Sequence, residues 1–114
     1  MTAKIHGRLG ALDCAATTAE AVYTVPADRK ATVSINICNR NSSPVTIRLM
    51  HLDGAIGTLA NNDYIEYGLP VPATGSPDST IERTGIAMTA GHTIGFYSSA
   101  TGVTVQVVGV EEDV

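Results

Sequence analysis

The sequence contains no tryptophan, one phenylalanine, two cysteines and two lysines, and only 16% of its 114 residues are charged. So little charge argues against a disordered chain, and so few lysines and leucines (two and six) argue against a helical bundle. Seven Lys and Arg, scattered singly in a chain of net charge −4, form no stripe that would bind nucleic acid. No apolar run approaches the ~20 residues of a membrane helix. The opening residues lack the apolar stretch of a signal peptide, so export is not expected. Cys14 and Cys38 have neither CxxC spacing nor a zinc-type histidine partner. Both are expected as reduced thiols, with Cys38 packing as a small hydrophobe.

β-Branching is what the chain has in excess. Thr, Val and Ile supply 14, 11 and 9 residues, stiff side chains suited to a pleated surface. At this length, folding can bury roughly two-thirds of the unfolded surface, enough for one domain with its own core. Ala31, Val33, Ile35 and Ile37 alternate with Thr32, Ser34, Asn36 and Cys38, the period of a half-buried strand. After the turn formers Asn39 to Pro44, Val45, Ile47 and Leu49 alternate in the same way. Two such runs joined by a short polar turn predict an antiparallel hairpin over 31–38 and 45–49, with Val33, Ile35, Ile47 and Leu49 inward.

Shorter strands are predicted at 21–25, 63–67 and 94–97, and Val103, Val105 and Val107 alternate near the end. The phase shift at Val107-Val108 predicts a bulge near Gly109. Residues 68–80 carry Pro70, Pro72 and Pro77, which remove backbone donors and exclude a central strand. A loop of about 12 residues in so small a domain is more often functional than incidental. The count of seven to eight short strands predicts an all-β fold, an antiparallel β-sandwich of jelly-roll or immunoglobulin-like type, with a small closed barrel as the alternative. Residues 1–18, interrupted by Gly7 and Gly10, read as an N-terminal arm or edge strand, and 19–114 as the single sandwich domain.

Reactive constellations are scarce. His6, His51 and His92 share no HxH or HExxH spacing and read as exposed or strand-end residues. There is no GxSxG elbow and no phosphate-cradling loop. Asp53 and Asp63 read as turn or cap carboxylates. Asn61-Asn62-Asp63 lacks the Gly and distal Glu of a calcium loop. Tyr23, Tyr64, Tyr67 and Tyr97 could form a sugar platform, but core packing with a wet hydroxyl is the favoured reading. The sequence therefore assigns no catalytic, cofactor-binding or metal-ligating residue, and an enzyme is not expected.

The run Val22-Tyr23-Thr24-Val25-Pro26-Ala27, its polar turn, and the alternating strand ending in Cys38-Asn39-Arg40 resemble small virion proteins of tailed bacteriophages. The stretch from Met88 through Val105 to Glu112 is similar to the ends of the same proteins. This resemblance covers about 80 residues and implies a capsid decoration (cement) protein made in the host cytoplasm and bound to the major capsid protein. A tail, baseplate or fibre-associated adaptor contacting tail proteins is the alternative it leaves open. A carbohydrate-binding sandwich is a more distant reading. The resemblance names no catalytic residue.

Assembly is expected on physical grounds as well. Ile5, Leu9 and Leu12 would place apolar side chains on an arm unable to bury them within itself, and each is worth about 1.5–3 kcal/mol when buried. A closed ring of identical chains is the economical place for that burial. A homo-oligomer, a trimer by preference, is predicted, with Ile5, Leu9, Leu12, Pro70, Pro72 and Pro77 at its contacts.

Overall fold

The computed structural model describes residues 4–114. Eight strands make two four-stranded antiparallel sheets packed face to face, and no α-helix occurs among the described residues. The first sheet has the order β1-β8-β3-β6, formed by Lys4–Asp13, Val103–Asp113, Arg29–Asn39 and Thr80–Thr89. The second has the order β2-β7-β4-β5, formed by Glu20–Thr24, His92–Ser98, Val45–Asp53 and Tyr64–Val71. Six of the seven connections cross between the sheets, and only β4 and β5 are neighbours both in sequence and in space. That order is the eight-stranded jelly roll rather than the immunoglobulin arrangement.

The alternating runs set the core. Val33, Ile35, Ile37, Ile47 and Leu49 are buried, facing Phe96, Val105 and Val107 between the sheets. The inward set is as expected, but the hairpin is not formed. β3 pairs with β6 and β8, β4 pairs with β5 and β7, and residues 40–44 carry the chain from one sheet to the other. Alternation fixes which face of a strand is buried and is silent about its hydrogen-bonded neighbour.

β1 pairs with β8 from Lys4 to Asp13, so of the two readings of residues 1–18, arm or edge strand, this part is an edge strand; residues 1–3 lie outside the described residues. Leu9 and Leu12 pack against the domain's own core, which corrects the expectation that they cannot be buried within the chain. A side chain at Gly10 would strike the Val22 carbonyl of β2, so glycine lets the two sheets close at this edge. The expected bulge near Gly109 is absent from β8, which keeps continuous register with β3 from Arg29–Asp113 to Asn39–Val103. The register shift lies opposite, at Leu9 in β1. Each of the other three outer strands is also bulged: β2 at Val22, β5 at Ile65 and Gly68, and β6 at Thr84-Gly85.

β5 extends further than predicted and takes in Pro70, tolerated because an edge strand leaves one row of donors unpaired. The expected 68–80 loop thus shrinks to residues 72–79. Both cysteines are free; Cys38, expected to pack as a small hydrophobe, is only half-buried on the alternate face of β3, and Cys14 is the buried one.

Candidate functional site

Four constellations of polar side chains stand out. The first lies on the outer face of the β2-β7-β4-β5 sheet. Arg48 of β4 is in register with Tyr97 of β7 on one side and Tyr67 of β5 on the other. Its guanidinium carbon sits 4.2 Å from the Tyr97 ring centre and 4.3 Å from that of Tyr67. Tyr64 meets Tyr67 edge to face, with ring centres 4.9 Å apart at 84°. Tyr67 is 65% exposed. A bulge at Gly68 separates Leu69, which faces the core, from Tyr67, which does not. Beside this row, the connection between β4 and β5 folds over the sheet. A Cβ added at Gly95 would meet Ile56 Cδ1 at 2.7 Å and Met50 Sδ at 3.0 Å, so a larger residue there would push these side-chain ends aside.

Core packing therefore holds for Tyr23 alone, and the expectation that all four tyrosines join the core is corrected for Tyr64, Tyr67 and Tyr97. These three line the outer surface because alternate positions of β5 and β7 face away from the other sheet. Sequence spacing did not reveal their juxtaposition with Arg48, which depends on pairing between residues 19 and 49 positions apart.

The second constellation joins the end of β4 to the start of β7. His51 Nε2 and His92 Nδ1 are 2.9 Å apart, one donating and the other accepting. His92 Nε2 lies 3.6 Å from Asp53. Burial, and then the neighbouring His92, hold the His51 imidazole below its ordinary pKa, with Asp63 and Asp53 acting in the opposite direction. Asp63 accepts a hydrogen bond from the Ala60 amide at 2.8 Å, a local cap as the sequence led one to expect. Among the described residues, no group of three or more His, Cys, Asp and Glu is placed to hold a metal ion. His6 is exposed on β1, apart from the other two.

At the same end of the sandwich, Arg29 lies 3.6 Å from the buried Glu111 and 3.4 Å from Asp113. Tyr23 is close by. Burial and then the Glu111 charge raise its phenol above the ordinary range, and its hydroxyl has no partner in hydrogen-bonding geometry.

Asn39 and Arg40 occupy the opposite end. The Asn39 amide donates to the carbonyls of Ser43, Val71 and Pro72, and its oxygen accepts from the Asn41 amide. Arg40 donates to Thr104 Oγ1 at 2.9 Å and pairs with Asp13. Asn39 therefore ties two connections together, and Arg40 links the ends of β1 and β8.

The six expected contact residues do not form one patch. Ile5 is exposed at the start of β1. Pro70 and Pro77 are exposed near the other end of the sandwich, on the opposite edge, with Pro72 half-buried beside them. Leu9 and Leu12 belong to the core margin.

Comparison with protein families, with curated proteins and with solved structures gave no match for this chain.

Proposed function

We propose that the chain is a structural protein of a bacteriophage virion, a decoration protein that assembles as a homotrimer on the outer capsid shell and cements neighbouring subunits. The observation that carries this reading is the jelly-roll strand order, in which six of the seven connections cross between the sheets. Jelly rolls recur in viral shells and in lectins, so the fold is an analogy that raises this reading and leaves the function to the site. The sequence resemblance selects the viral branch of that analogy. Ile5 and the proline-bearing edge, lying at opposite ends and opposite edges, supply the two different surfaces that a head-to-tail ring requires. A tail, baseplate or fibre-associated adaptor has the same physical support and remains the second reading. The partner is the major capsid protein in the first reading and a tail protein in the second.

Cryo-electron microscopy of the parent particle tests both. Density for this chain repeated across the icosahedral shell selects decoration, and density confined to the tail selects the adaptor. Purified particles without the chain overturn both. Light scattering on the isolated protein tests the ring, and a monomer at high concentration that fails to bind shells lacking it excludes the trimer.

A further inference from the structure

The geometry points to a binding site for an acidic saccharide on the outer face of the β2-β7-β4-β5 sheet, built from Arg48, Tyr67 and Tyr97. The proposal does not rest on the virion reading.

Arg48 is half-buried and carries a permanent charge. Among the described residues no carboxylate lies within ion-pair distance of it, and its only polar contacts are the two tyrosine rings. Arg29, Arg40 and Arg83 differ in this respect, each having an acidic partner. With the guanidinium held against the Tyr67 and Tyr97 rings, the N–H donors in its plane have no hydrogen-bond partner among the described residues. A planar carboxylate entering in that plane can take two parallel hydrogen bonds.

The surroundings select a sugar acid over a bare anion. Tyr67 offers an exposed aromatic ring, with the Tyr64 ring packed against it nearly at right angles. An aromatic face receives the C–H face of a pyranose, with the polarity of the ring favouring the slightly positive hydrogens. The hydroxyls of Tyr64, Tyr67 and Tyr97 make no hydrogen bonds among the described residues, so three donor-acceptor groups surround the cation unspent. A uronic acid satisfies all of these: carboxylate to Arg48, ring face to Tyr67, hydroxyls to the phenols. The 54–63 connection lies beside the row, with Ile56 packed over Gly95.

The test is an NMR titration of the intact 15N-labelled protein with a galacturonate trisaccharide. Parallel titrations use its carboxyl-reduced neutral counterpart, sodium acetate and a glutamate-rich peptide. The expected result is a shift of the Arg48 Nε–H and of the amides of Arg48, Tyr67 and Tyr97 with the trisaccharide. Binding should be at least about tenfold weaker for the neutral sugar, because a charge-assisted bidentate pair is lost. Acetate alone should shift Arg48 and leave Tyr67 unmoved. Arg48→Gln should abolish the trisaccharide shifts. Tyr67→Ser, exposed and outside the core, should weaken binding and serves if Arg48→Gln fails to fold. No shift at these residues, equal binding of the neutral sugar, or equal binding of the peptide would overturn the proposal.

Discussion

Arg83 of β6 and Glu66 of β5 join the two sheets at their open edge: Nε and Nη2 of the arginine both lie 2.9 Å from the same carboxylate oxygen. Both side chains retain solvent contact, so the net contribution is at most about 1 kcal/mol and depends on salt. A double-mutant cycle with Arg83→Ala and Glu66→Ala, read by urea denaturation at low and high salt, should give a coupling in that range that shrinks as salt rises. An unchanged coupling in high salt would mean the pair is more buried than this.

Asn39 should matter more than any exposed ion pair. It is fully buried, and its amide satisfies carbonyls in two connections and at the end of β5. Asn39→Ala leaves buried acceptors such as the Val71 carbonyl unpaired, at about 1–3 kcal/mol for each such group. Loss of more than about 1 kcal/mol in urea denaturation is expected. Asn39→Asp should not rescue it, because a carboxylate cannot donate to those carbonyls.

The histidine pair predicts a direction of pH dependence. The folded-state pKa of His51 is lowered, so the unfolded chain binds a proton in a range where the folded chain does not. Stability is fully present above the unfolded pKa of ~6.5, falls as pH drops through it, and stops falling below the folded pKa. Thermal melts across that range, compared between the native sequence and His51→Gln, should show the slope reduced in the variant. An identical slope in both would place its origin elsewhere.

Thiol reactivity should separate the two cysteines. Cys38, half-buried on the outer side of β3, should be alkylated in the native protein, and Cys14, buried beside the Ala100 carbonyl, only on unfolding. Mass spectrometry of peptides after brief native alkylation checks this, and equal labelling of both would contradict the burial of Cys14.

The core was legible because its information is local. Ala31 to Ile37 and Val45 to Leu49 announce their buried faces through period alone, and Ile35 is fully enclosed as that period required. What stayed hidden depends on pairing. The sequence places the β3 and β4 runs side by side, while the structure sets them against each other across the core. β1 was obscured because a bulge at Leu9 breaks its period between Gly7 and Gly10. Arg48 with its tyrosines, and His51 with His92, are contacts between strands, and no spacing within a single run encodes them.

The bulges at Leu9, Val22, Ile65, Gly68 and Thr84-Gly85 fall on the outer strands, while β3–β8 and β4–β7 keep unbroken register. A kinked border with Pro70 in it is a poor template for a foreign strand. The chain can therefore be concentrated without seeding fibres, because its bulged borders offer other molecules side chains rather than a flat, open row of backbone donors and acceptors.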